Sequence, residues 1–133
     1  MRDVAQFFKV LSDEARLKIL WLLFNHLELC VCDIMEALGI TQSKASRHLI
    51  TMKHAGLVTD RREGTWSYYS LATARTALER AVLATLRKGL GERAGAAEAL
   101  EGLHVWLQTK KRGATCANGS ADRKRTGGKG CGR

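Results

Sequence analysis

The stretch Leu38-Gly39-Ile40-Thr41 constrains this 133-residue chain more than any other, because it ends one helical stripe and starts the next with room only for a tight turn. Residues 32–38 read as a short helix with Ile34, Ala37 and Leu38 turned inward, and Gly39 supplies its C-terminal stop. Thr41 then caps a helix over residues 42–54, whose buried stripe is Ala45, Leu49 and Met52. Short helix, glycine turn and second capped helix make a helix-turn-helix pattern. At about 100° per residue, Ser43, Arg47, Ile50 and His54 lie opposite the apolar stripe, with Gln42 and Ser46 nearby. These residue types suit a major-groove surface, since Gln pairs with adenine and Arg with guanine.

The flanking sequence completes a small core. Val4, Phe7, Phe8 and Leu11 fall at i, i+3, i+4 and i+7, the stripe of an amphipathic helix. Ser12 is expected to stop that helix and to cap the next, which begins at Asp13. Residues 15–24 are apolar apart from Arg16 and Lys18, as in a helix packed on several sides, with Asp13 and Glu14 complementing its dipole. After Gly56, extended runs over residues 57–61 and 66–71 flank Arg62-Glu63-Gly64-Thr65 and read as a β-hairpin. Arg61 and Arg62 at its tip are expected to reach phosphates or the minor groove. The predicted fold is mainly α with a small β-hairpin, a winged helix-turn-helix.

From Ala72 the pattern returns to helix. Leu78, Val82, Leu86 and Leu90 form a narrow seam flanked by Ala77 and Ala81, which suits close helix packing and predicts a homodimer interface. Gly89 and Gly91 are expected to interrupt, and Ala96, Leu100, Leu103 and Leu107 mark a further helix. Residues 1–109 then form one domain, and 110–133, basic and Gly-rich with nothing to bury, a disordered tail. That tail carries eight Lys and Arg against one Asp, most of the net charge of +9. The charge total therefore neither proves nor excludes nucleic-acid binding by the body. The longest purely apolar run, residues 19–24, is far short of the ~20 residues of a bilayer span, so no membrane partner and a cytoplasmic location are expected.

In a reducing cytosol four cysteines point to metal binding, catalysis or burial rather than disulfides. Cys30 and Cys32 stand at the threshold of the first helix of the pair. Their thiolates would select soft ions, and a helix N-terminus lowers the thiol pKa. Residues i and i+2 of a helix point about 200° apart, so capture of one ion by both requires the segment to leave the helix, moving Gln42 and Arg47 off register. The alternative is that both are small buried hydrophobes. Cys116, about six residues past a helix ending near Lys110, has a reach of roughly 20 Å and could supply a third sulfur. Cys131 reads as incidental. His26 and His104 have no spaced partners and read as surface residues, Trp21 and Trp106 as core or interface aromatics, and Trp66 as hairpin packing.

Taken together, Glu28-Leu29-Cys30-Val31-Cys32-Asp33-Ile34, Ser46-Arg47-His48-Leu49, Gly56-Leu57-Val58, Asp60-Arg61-Arg62-Glu63-Gly64 and Tyr68-Tyr69-Ser70-Leu71 resemble the ArsR/SmtB winged-helix repressors over roughly residues 3–86. The resemblance implies a non-enzymatic homodimer that binds two-fold operator DNA and releases it when a toxic metal or metalloid binds. With it, DNA contacts are expected from Gln42, Ser43, Ser46, Arg47, His48, Arg61 and Arg62, and As(III) or Sb(III) as effector at Cys30 and Cys32; Cys116 stays a candidate third ligand on reach alone. The chain departs from the arsenical type at Met35, where that type carries a third cysteine. It also differs from the cadmium type in having no cysteine before Cys30. The zinc and nickel type uses Asp, Glu and His on the dimer helix, where residues 72–90 hold only Glu79. Three other readings stay open: a Cd(II), Pb(II) or Hg(II) sensor of the same fold, a constitutive DNA binder, and a dithiol redox protein. The last lacks the Cys-x-x-Cys and βαβ context it needs.

Overall fold

The computed structural model describes residues 1–111. Cys116, Cys131 and the rest of the expected tail lie outside the described residues. Helix α1 (Arg2–Leu11) buries Phe7, Val10 and Leu11 and leaves Phe8 on the surface. Helix α2 (Glu14–Asn25) is central, with Ile19, Leu20 and Leu22 fully enclosed. Its N-cap is Asp13 rather than Ser12. Asp13 has the extended backbone an N-cap needs and accepts the Arg16 N–H at 3.2 Å, whereas Ser12 closes α1 by donating its hydroxyl to the Lys9 carbonyl at 2.7 Å.

A two-residue strand, β1 (Leu29–Cys30), leads directly into α3 (Val31–Leu38). Gly39 ends α3 in the left-handed region at φ 67°, its N–H bonded to the Met35 carbonyl at 2.8 Å. Helix α4 (Gln42–His54) starts at Thr41, whose hydroxyl accepts the Lys44 N–H, and seats Ala45, Leu49 and Met52 in the core. Strands β2 (Val58–Glu63) and β3 (Trp66–Leu71) form the hairpin, paired from Val58 with Leu71 to Glu63 with Trp66. β3 has the expected bounds, whereas β2 runs on to Glu63 and the turn shrinks to Gly64-Thr65, with Gly64 at φ 63° as a two-residue hairpin loop favours. β1 adds antiparallel to β3, giving the order β1-β3-β2 and placing Cys30 opposite Tyr68.

Helix α5 (Ala77–Gly91) passes through Gly89 and ends at Gly91, so the expected interruption falls at the second glycine alone. Gly91 faces the Trp21 ring, which a Cβ would approach to 3.2 Å. Along the seam Leu78 is exposed, and Val82, Leu86 and Leu90 are half-buried. Helix α6 (Ala94–Lys111) continues through Lys110 and Lys111, which the sequence alone assigns to the tail. It turns inward, burying Ala96, Ala99, Leu103 and Trp106, and crosses α3 so closely that a Cβ on Gly102 would stand 2.7 Å from the Ala37 carbonyl oxygen.

Candidate nucleic-acid interface and thiol site

The core stripe of α4 presents its opposite face to solvent. Gln42, Ser43 and Arg47 are exposed, Ser46 is half-buried, and Ile50 stands among them with 49% exposure. Successive strand residues point to opposite faces, so Arg61 and Arg62 diverge although adjacent. Arg62 joins Gln42, Ser46, Ile50 and Thr65 in lining a cleft of about 280 Å³ between α4 and the hairpin. Arg61 lies on the other face. It binds Glu28 through two bonds of 2.7 and 2.9 Å and Glu63 at 2.8 Å, with its guanidinium 4.7 Å from the Tyr68 ring centre. Neither arginine is at the tip, which is Gly64 and Thr65. Among the described residues no ion pair engages Arg47 or Arg62, whereas Arg61 is fully engaged.

His48 sits half-buried beneath this surface, its Nδ1 3.2 Å from an Arg16 Nη. Arginine only donates, so Nδ1 accepts and the ring proton is on Nε2. Burial, with Arg16, Arg47 and Lys44 adding to it, lowers the His48 pKa, against a smaller opposite pull from Asp13. A neutral imidazole can offer a phosphate a hydrogen bond but no charge.

Both cysteines are buried, Cys30 at 1% and Cys32 at 2% exposure. They occupy different surroundings. Cys30 is the N-cap of α3 with extended backbone, in a reciprocal capping box: its side chain faces the Asp33 N–H, and its own N–H donates to Asp33 Oδ2 at 3.1 Å. Cys32, within the first turn, lines the cleft shared by Gln42, Ser46 and Arg62, and Met35 lines it one turn further on. Cys30 is therefore already outside the helix, and only Cys32 is helical. Among the described residues no group of three or more Cys, His, Asp or Glu that could hold a metal ion is present.

The sequence reading misses three features. Asp33 is a buried carboxylate that also accepts from Trp106 Nε1 at 2.8 Å and Lys110 Nζ at 2.6 Å. An acid at the third position of α3 signals a cap, but nothing local signals partners over seventy residues away. Glu79 belongs to the cap of α5: it accepts the Arg75 N–H and Nη at 3.1 Å each, and Arg75 also donates to the Ala55 carbonyl at the end of α4. His26 and His104 meet edge to face, ring centres 6.2 Å apart. Burial, then its histidine neighbour, lowers the His26 pKa.

A buried-stripe helix presented beside a three-stranded wing defines a winged helix-turn-helix regulator. Residues 13–60 match the family described as bacterial regulatory protein, arsR family. The chain is 49% identical over 67 residues to the arsenical resistance operon repressor of Escherichia coli strain K12, covering 50% of this chain and 57% of that protein. It is 45% identical over 69 residues to the Staphylococcus aureus homologue of the cadmium resistance transcriptional regulatory protein CadC, covering 52% and 57%. The match thus spans a little over half the length of these two relatives. Among solved structures, the homodimeric winged helix-turn-helix DNA-binding domain of a possible ArsR-family regulator from Mycobacterium bovis superposes with a TM-score of 0.57 at 34% identity, covering 70% of this chain and 82% of that one. The chain belongs to the ArsR family of bacterial regulatory proteins.

Proposed function

We propose that this protein is a metalloid-responsive transcriptional repressor that binds operator DNA as a homodimer and releases it when As(III) or Sb(III) is captured by Cys30 and Cys32. Gln42, Ser43, Ser46 and Arg47 read the groove, and Arg62 contacts the backbone beside it. His48 supports that helix and contributes at most one phosphate hydrogen bond, and Arg61 contributes through the wing's shape. The observation that carries this reading is that Cys32 lines the same cleft as Gln42, Ser46 and Arg62. Movement of the Cys32 backbone is thereby transmitted to the gap between reading helix and wing. Thiolates supply the soft donors that a trivalent metalloid selects, and Cys116, outside the described residues, is the candidate third sulfur.

Operator binding by anisotropy, with and without arsenite, tests it. Cys30→Ser and Cys32→Ser should each bind operator nearly as wild type yet fail to release it, because a hydroxyl fills the space but is a poor soft-ion ligand. Release of the double variant at wild-type arsenite concentrations would refute the assignment. The likeness to a cadmium regulator favours Cd(II) as the second reading. Release by Cd(II) at concentrations where arsenite is silent would select it.

A further inference from the structure

Arg16 joins three helices. Its Nε donates to the Val10 carbonyl at the end of α1 at 2.7 Å, its backbone N–H is held by Asp13 at the start of α2, and an Nη reaches His48 Nδ1 on α4 at 3.2 Å. A guanidinium pinned at Nε does not swing freely, and because it only donates it meets the ring where Nδ1 is bare. The imidazole is thereby fixed in one orientation and one tautomer, with its proton on Nε2. Among the described residues no acceptor meets that Nε2–H, and His48 is only half-buried, so the acceptor comes from outside the chain. Lys44, one turn earlier on the same side of α4, and Arg47 beside it are exposed cations, which suits these surroundings to an anion.

We propose that Arg16 is a positioning residue for DNA binding: it holds His48 as a neutral Nε2–H donor for a backbone phosphate, whose charge Lys44 meets from one turn earlier. The inference rests on the reading of α4 as the DNA-contacting helix, and adds to it a contact organised from α2. The charged groups around the ring are Asp13 and Arg16 on α2 and Lys44 and Arg47 on α4. Burial and the three cations keep the ring neutral against the pull of Asp13. The two contacts then differ in kind. A neutral donor adds a hydrogen bond without displacing a condensed counterion, whereas a lysine that neutralises a phosphate displaces one.

The test uses the full-length protein and, because a phosphate contact is independent of sequence, a short random-sequence DNA duplex followed by anisotropy. Nitrogen NMR of the imidazoles reports the tautomer: at neutral pH the wild-type His48 should carry its proton on Nε2 and leave Nδ1 bare. Arg16→Met, which keeps the aliphatic stem, should let the ring exchange tautomers and weaken duplex binding about 3- to 10-fold, the worth of one hydrogen bond, as should His48→Ala. Neither should change the salt slope, whereas Lys44→Ala should lower it by about one. His48→Gln supplies an amide donor near the place of Nε2 and needs no partner for Nδ1. It should bind close to the wild-type level and be indifferent to Arg16→Met. An Arg16 that merely supports the fold would instead weaken His48→Gln as much as wild type. That result, a wild-type His48 protonated on Nδ1, or a fall in salt slope in Arg16→Met or His48→Ala to match Lys44→Ala overturns the inference and leaves α4 as the DNA-contacting helix. The wild-type tautomer needs no variant, so the inference stays refutable even if Arg16→Met does not fold. A wild type that binds no duplex overturns both readings.

Discussion

Two adjacent arginines on one strand have opposite fates, because strand alternation sends Arg62 toward α4 and Arg61 toward Glu28 and Glu63. Arg47→Ala should cost on the order of 1–3 kcal/mol on the preferred operator and flatten sequence preference. Arg62→Ala should weaken all sequences alike and lower the salt slope by about one. Arg61→Ala should change affinity less than Arg62→Ala. Anisotropy across operator variants and salt concentrations checks the three, and equal effects at positions 61 and 62 would refute the division. His48 yields a pH prediction whose sign follows from its lowered pKa. The folded state disfavours the protonated ring, so the stability associated with neutral His48 is complete above the ordinary value of about 6.5 and is lost as pH falls through the lower folded value. His48→Gln should therefore lose less stability than wild type in urea melts between pH 7.5 and 5.

At the level of elements, two glycines with positive φ separate strain from crowding. Gly39 has φ 67° and open space around a would-be Cβ, so Gly39→Ala should cost about 1 kcal/mol, the low end for a non-glycine residue in that region. Gly56 has φ 80° and the Arg75 guanidinium 2.7 Å from such a Cβ. Gly56→Ala should cost more, and Arg75→Ala should relieve part of the excess in a double-mutant cycle of urea midpoints. Both glycines were legible as stops, as were the caps and stripe of α4 and the hairpin, because each rests on residues close in sequence. β1 was not: two residues carry no periodicity, and only pairing with Tyr68 and Tyr69 makes Leu29 and Cys30 a strand. Of the site, the outward face of α4 and the thiol pair could be read directly. The opposed faces of Arg61 and Arg62 depended on how far β2 extends, and the Asp33 contacts depended on α6 folding back over α3.

For the whole molecule, the inward turn of α6 narrows where a second copy can dock. The apolar side of α6 lies against α3, so Trp106 and Leu103 are unavailable to a partner. Exposed apolar side chains include Phe8 on α1 at 46%, Leu78 on α5 at 45% and Val105 on the outer side of α6 at 56%, and the continuous stripe is that of α5, where Val82, Leu86 and Leu90 are half-buried along the seam of Leu78. Burying such a seam against its symmetry mate gives each subunit the same patch and sets two α4 helices at a fixed spacing, which a two-fold operator requires. Light scattering at micromolar concentration should give a dimer mass. Leu78→Glu should give a monomer with its circular dichroism retained, because Leu78 is 45% exposed in the single copy and the interface is what would bury the charge. That variant should lose roughly 10²–10⁴-fold in operator affinity, as each half-site would then bind without the tether of the other. Leu107→Glu, on α6, should leave the dimer mass unchanged. A wild-type monomer at operator-binding concentrations would remove the interface and the two-fold operator together.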